Sequence, residues 1–344
     1  MDIHGGKGIC LGPRNYLGRL RQTSPIGITV EGANILTRNM MIFGQGAIRC
    51  HPYVLREILA TANPDRQAGR AAIRRAGGGP RGLRGLTTPC ARCCWALSGG
   101  RLAAAPASAG AQTRAYYRQL SRYAAAFALT ADAAMLTLGG GLKRRERISA
   151  RLGDMLSCLY LASAALKRYE DDACPEADLP LLRWVLEEAL FTLQERLDTV
   201  LGNFPARPLA VLLRALVFPL GRHRRGPSDA LGAEVARTLM APSATRDRLL
   251  TGIHISDDRE DPTGAVEHAL RLTIEAAPIE QRLRRAVRRG ELSVPWDEDE
   301  VEVAVAAGLL DGDEAERIRA ARAARLRVIA VDDYDAAELV ASAG

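Results

Sequence analysis

The run TRAYYRQLSRYAAAFALTADAAMLTLGGG, residues 113–141, decides the fold class. Tyr116, Leu120, Tyr123, Phe127, Ala131, Met135 and Leu138 recur at spacings of three and four, which sets them on one face of an α-helix. The glycines at 139–141 end that helix, because glycine loses the most backbone freedom on becoming helical. A second stretch repeats the pattern with Ile148, Leu152, Met155, Leu159, Ala162, Leu166 and Tyr169. A third, over 178–201, carries Leu182, Val185, Leu186, Ala189, Leu193, Leu197 and Val200. Three long amphipathic helices joined by short breaks predict an antiparallel bundle.

Downstream, NFPARP (203–208) breaks the chain before a short apolar helix at 208–217. Further helices fit 229–240, 243–251, 262–276 and 278–289. The tail past Pro295 is acidic in WDEDEVEVAVAAG and then suits a last helix after Asp311. Upstream, residues 1–26 carry turn formers every few positions. A helix is expected from about 33 to 43 and another from about 52 to 60, where Pro52 suits a first turn. No segment alternates with the period of a β-strand, so the chain reads as all-α. Four regions follow: 1–60, an Arg/Gly/Pro-rich linker or frameshifted segment at 61–111, a helical region at 112–295, and a tail at 296–344.

Composition narrows the function. The 344 residues are 47% hydrophobic and 25% charged, ordinary values for a globular protein. No apolar run approaches the roughly 20 residues of a membrane span. The opening MDIHGGKGICLG lacks the charged start and apolar stretch of a signal peptide. A cytoplasmic location is expected. The net charge of +7 is concentrated between Arg66 and Ala131, where eleven arginines stand without an acid. They sit among Gly, Pro and Ala rather than on an ordered basic face with polar or aromatic contacts, which argues against nucleic acid as a partner. Of the seven cysteines only Cys90, Cys93 and Cys94 cluster, and CARCC has no second pair at metal-site spacing. No metal is expected.

One local feature asks for chemistry. Glu31-Gly32 separates the β-branched run Ile28, Thr29 and Val30 from the helix expected near Ala33. Two readings stay open on the residues alone. An acid near a helix N-terminus is favoured by about 0.3–1 kcal/mol. Alternatively, Gly32 lets a substrate come close to the backbone beside a working base.

The first fifty residues resemble the C-terminal end of the acyl-CoA dehydrogenases. DIHGGKGI (2–9) is similar to that family's glycine-pair motif, and EGANILTR (31–38) to its E-G-T-x-x-I/L-x-R motif, with Glu31, Gly32, Leu36 and Arg38 in register. ITVEGANILTRNMMIFGQGAIRCHPYVLRE is similar to the large bacterial enzymes of fatty-acid β-oxidation. GGGLKRRERISARLGDMLSCLYLASAALKRYEDD (139–172), NFPARP, FPLGRHRRGPSD and EVARTLMAPSATRDRL are similar to their helical C-terminal extension.

The resemblance implies a chain that holds the end of the catalytic helical domain followed by that extension. It implies FAD as cofactor, a medium- or long-chain acyl-CoA as substrate, and 2-trans-enoyl-CoA as product. An electron-transferring flavoprotein or similar acceptor and a homo-oligomeric complete enzyme follow from it too. Glu31 would take the α-proton of the thioester, and its backbone N–H would stabilise the enolate oxygen. Gly32 would leave room for the substrate. Gly5 and Gly6 would let backbone approach the FAD, with Ala33, Asn34 and Ile35 along the cofactor. Asp2 stands where the family has Gln, and Ala33 where it has Thr. The resemblance further implies that most of the family's catalytic unit lies outside these residues, so that the chain alone is inactive. The competing expectation is a non-enzymatic helical module that binds a partner or a membrane surface, in that case peripheral to the inner membrane.

Overall fold

In the computed structural model of the chain, the structure describes residues 1–10, 12, 14–30, 36–46, 64, 65, 67, 68, 71, 103, 105–107, 109–333 and 335. Among them every regular element is a helix, and no helix is long and apolar enough to cross a membrane. The chain divides into two compact units, residues 31–238 and residues 1–30 with 239–344.

The first unit is the bundle. Its long helices are α2 (Ala111–Leu138), α3 (Glu146–Asp171) and α4 (Leu179–Gly202), preceded in the chain by α1 (Tyr16–Thr23) of the other unit. Thr113 and Tyr117 near the start of α2 donate to Glu170 near the end of α3, at 3.2 and 3.0 Å. Cys158 and Asp154 of α3 meet Ala189 and Arg196 of α4 in reversed order. Both pairs are therefore antiparallel. Helix α4 is the centre, with Leu186, Leu190, Leu193 and Leu197 fully buried at helical spacing. Each such leucine stabilises the fold by about 1.5–3 kcal/mol relative to exposure. Helix α5 (Arg207–Val217) packs on α4 through Ala210, Leu213 and Val217, and α6 (Asp229–Met240) follows with Leu231 buried. Val185 lies on the expected apolar stripe of α4 yet is 39% exposed, because the buried stripe turns through Leu182, Leu186 and Leu190.

Between α5 and α6 the chain has no regular structure over 221–228. Gln194, buried on α4, holds it: its Oε1 accepts from the backbone N–H of His223 at 3.1 Å and of Arg224 at 3.0 Å, and its Nε2 donates to the Arg224 carbonyl at 3.1 Å. Asp198, one helical turn on, pairs with Arg222 at 3.1 Å and Arg214 at 2.5 Å.

The other unit is built on α8 (Pro262–Arg288) and α10 (Gly312–Ile329), with α7 (Ala244–Leu249) and α9 (Glu300–Ala306). Arg282 pairs with Glu314, while Glu280 lies 3.7 Å from Arg322 and 3.9 Å from Arg325, so α8 and α10 run antiparallel. Ile279, Leu283, Val301, Ala304 and Ile318 form its core. Its N-terminal segment docks on the end of α10, where Lys7 Nζ donates to the Val328 carbonyl at 2.7 Å.

Three expectations change. Residues 262–289 form one helix through Pro278, not two. Proline forfeits a hydrogen bond there, but Ala276, Ile279, Leu283 and Ala286 share one buried face that holds both halves together. The turn-rich start contains α1, because its breakers act as caps: Asn15 Oδ1 accepts from Gly18 N–H at 2.8 Å, and Asn15 Nδ2 donates to the Cys10 carbonyl at 2.8 Å. The helix expected over 33–43 is described as a π-helix, Thr37–Gln45. The helix expected over 52–60 lies outside the described residues.

Candidate functional site

The π-helix Thr37–Gln45 carries the end of the EGANILTR motif and lies against α3. π-Helical segments are rare and are frequent at functional sites. Four contacts fix this one. Arg38 Nε and Nη2 donate to the two oxygens of Asp154 at 2.6 and 2.5 Å, a bidentate pair. Arg196 of α4 meets the same carboxylate at 3.0 Å, so Asp154 ties the motif helix to two bundle helices. Ser149 Oγ donates to the Asn39 carbonyl at 2.5 Å in a buried position. Phe43 is buried with its ring edge-on to Phe127 of α2, centroids 6.1 Å apart.

The close approach has a cause in the sequence. Ser149 and Gly153 stand one turn apart on α3, and a Cβ at Gly153 would lie 2.7 Å from the Arg38 carbonyl oxygen. Only glycine admits the motif helix at this distance. The hydrogen bond to Asp154 is also the main cause that raises the Arg38 pKa above its ordinary value, which keeps the guanidinium charged. The arrangement can therefore hold the chain that follows residues 31–35 in a fixed register against the bundle.

The residues singled out from the sequence fare differently. Arg38 and Leu36 are described, with Arg38 central to the grip. Glu31, Gly32, Ala33, Asn34 and Ile35 lie outside the described residues, as do His51, Cys90, Cys93 and Cys94. Gly5 and Gly6 lie in the other unit, in the 3₁₀ segment Asp2–Gly8. Gly5 has φ +56, a conformation side chains resist, and a Cβ at either glycine would meet nothing within 4 Å. That exposed, side-chain-free backbone fits the close approach of a cofactor. His4 stacks edge-on against Tyr16 at 5.0 Å, a packing role. Asp154, Arg196, Ser149 and Gly153 are not among the residues that the sequence pattern singles out. The small residues Ser149 and Gly153 at helical spacing were the signal that could have found them.

Residues 48–334 match the family described as acyl-CoA dehydrogenase, C-terminal, bacterial type, which covers most of the chain. No solved structure matches it.

Proposed function

The chain belongs to the bacterial-type acyl-CoA dehydrogenase C-terminal family, an oxidoreductase family, and on that premise we propose that it serves the α,β-dehydrogenation of medium- or long-chain acyl-CoA thioesters in fatty-acid β-oxidation. One observation carries the proposal. The bundle part of the matched region grips Arg38, the last residue of the EGANILTR motif, through Asp154, so the end of the motif and that part of the matched region, up to residue 238, belong to one compact unit.

In this reading Glu31 is the base. Its carboxylate removes the α-proton, and its own N–H donates to the thioester oxygen as negative charge develops there, a contribution of about 3–4 kcal/mol for a donor of this kind. A carboxylate shielded from water by bound substrate becomes a stronger base, because desolvation disfavours its charged form. Gly32 keeps the path to the thioester free of a side chain. By the resemblance, Ala33, Asn34 and Ile35 would lie along FAD, which would supply the hydride acceptor when bound, and Gly5 and Gly6 would let backbone approach an FAD across a subunit interface. The bundle's part is orientation: Asp154, Ser149 and Gly153 fix residues 36–46, so the preceding segment leaves a rigid support. An electron-transferring flavoprotein or similar acceptor would be the electron partner of a homo-oligomeric, cytoplasmic enzyme. The test, made on a complete enzyme that carries this chain, is a kinetic isotope effect on anaerobic bleaching of the flavin band by α-deuterated acyl-CoA. Slower bleaching than with unlabelled substrate supports α-proton abstraction. Equal rates with label at either the α or the β position argue against the reaction.

A second reading, peripheral contact with the inner membrane, rests on α5. Val211 is 71% and Leu212 55% exposed there, with Arg207 and Arg214 also exposed on the same short helix. Sedimentation with anionic vesicles, lost in Val211→Asp, would support it. Unchanged sedimentation of that variant would remove it.

A further inference from the structure

In the unit built on α8 and α10, the end of α8 is crowded with positive charge. Five arginines stand between Arg282 and Arg289. Three of them meet an acid of the same unit: Arg282 pairs with Glu314, Arg284 with Glu280 at 2.8 Å, and Arg289 lies 3.7 Å from Glu291. Arg285 and Arg288 are exposed, and among the described residues neither forms an ion pair. Three positions apart on one helix, they share a face, with about 5–6 Å between their Cβ atoms. Val287 beside them is 37% exposed.

The opposite charge follows within a few residues. Gly290, at φ +70, ends α8, and Glu291 N–H donates back to the Ala286 carbonyl at 3.0 Å. Leu292 then enters the core with Ala286 and Val301. Beyond it, Asp299 caps α9, accepting from Val301 N–H at 2.7 Å and Glu302 N–H at 3.3 Å. The intervening segment is therefore anchored at both ends. Glu298 N–H donates to the Pro295 carbonyl at 3.3 Å and closes it into a turn. The tip of that turn carries Trp296, 97% exposed, and Asp297. Asp297 and Glu298 are exposed, and among the described residues neither forms an ion pair. Glu300, by contrast, pairs with Arg322 at 2.8 Å.

We infer that this unit docks on a second copy of itself, the turn 295–298 of each copy seated on the Arg285 and Arg288 face of the other. The two patches match in kind and in number: two arginines without a carboxylate, and two carboxylates without a cation. Trp296 adds next to nothing to its own unit's stability at that exposure, yet the turn that presents it is fixed. Tryptophan and arginine are the side chains that most often dominate a protein interface. A guanidinium within about 6 Å of an indole face is attracted to it, so Trp296 suits the space between Arg285 and Arg288 while Asp297 and Glu298 meet their charges. Both patches border one core, through Ala286 on the basic side and Leu292 and Val301 on the acidic side. A two-fold axis therefore exchanges both contacts at once, an isologous interface. One turn on one helix face is a small interface, which places the dissociation constant in about the micromolar range. The contact is independent of the proposed dehydrogenase chemistry.

The test is sedimentation velocity of the full chain over a concentration series spanning the micromolar range, with circular dichroism melts to verify folding. The parent should pass from monomer to dimer, and added salt should shift it back toward monomer. Trp296→Ser should weaken association about thirtyfold, the ratio that about 2 kcal/mol at an interface tryptophan carries. Two charge reversals, Arg285→Glu with Arg288→Glu and Asp297→Arg with Glu298→Arg, should each give a monomer, because each sets like charges against one another. An equimolar mixture of those two variants should dimerise again, since both contacts of the pair then join opposite charges. All five side chains are exposed, so the fold should survive each change. Three results overturn the interface. The parent could stay monomeric throughout, as it would if these patches serve a different protein. A dimer could persist unchanged in Trp296→Ser and in both reversals, which would place it on another face. Or the mixture could stay monomeric although each variant melts like the parent, which would mean diffuse repulsion rather than turn against helix face.

Discussion

Gly153→Ala separates a real grip on the motif helix from an incidental contact by the sign of one number. In an open helix interior, glycine to alanine stabilises by about 1 kcal/mol, because alanine gives up less backbone freedom. At position 153 the added Cβ would lie 2.7 Å from the Arg38 carbonyl oxygen and 3.9 Å from the Ile42 Cβ. A carbon and a carbonyl oxygen in contact stand about 3.3–3.6 Å apart, so the π-helix must retreat by about 0.6 Å or more. It cannot retreat freely, because Arg38 is bonded twice to Asp154 and the Asn39 carbonyl accepts from Ser149. Overfilling a packed interior costs about 1–3 kcal/mol, which offsets the propensity gain of about 1 kcal/mol and leaves a net loss of up to about 2 kcal/mol. Gly232→Ala in α6 is the control. Its Cβ would meet only Trp184 Nε1 at 3.9 Å, so it should gain up to about 1 kcal/mol. Urea unfolding followed by circular dichroism measures both, with stability read from the midpoint at constant slope. A midpoint that rises for Gly153→Ala as it does for Gly232→Ala would refute the close approach and the grip with it.

Two further outcomes follow from the ion pairs. Arg38→Gln and Asp154→Asn, combined in a double-mutant cycle, should show a coupling of about 1 kcal/mol, modest because both side chains retain solvent; zero coupling would mean that the bidentate pair does not form in solution. The Arg246–Glu267 pair, at 2.5 Å, is among the least exposed in the chain. Its hydrogen bond holds the Glu267 pKa below the ordinary carboxylate value. The stability this confers is complete above the unfolded pKa of about 4.3 and is lost as pH falls through the lower folded value. Glu267→Gln should therefore lose about 1.5–3 kcal/mol at neutral pH and draw level with the parent chain as pH drops below about 4. A constant gap across that range would place the acid sensitivity elsewhere.

Much of the bundle is legible in the sequence because its stabilisation is local in pattern. The apolar residues of α2, α3 and α4 recur at the helical period, and Leu120, Tyr123, Leu152, Met155, Leu166, Leu186, Leu193 and Leu197 are buried as that period demands. Pro278 misleads for the converse reason: a local rule ends the helix, while burial against α10 carries it through. Asn15 likewise reads as a turn former and functions as a cap. The grip on the motif helix is hardest to read, since Arg38 and Asp154 stand 116 positions apart and neither departs from an ordinary surface pattern. Resemblance supplies what periodicity cannot, a role for Glu31 and for the Gly5-Gly6 pair. It is silent on Asp154, Ser149 and Gly153, whose meaning comes only from the surface they present to residues 36–46.

The most direct measurement of the central claim is anaerobic reduction of the native enzyme's flavin by acyl-CoA, comparing the parent with Glu31→Gln. Glutamine keeps the size and the backbone N–H of the glutamate and removes only the proposed base. The account predicts a flavin spectrum unchanged at rest, acyl-CoA still bound, and bleaching slowed by several orders of magnitude. Bleaching at the parental rate would contradict it, and would move the base to another residue and leave Glu31 as a helix cap.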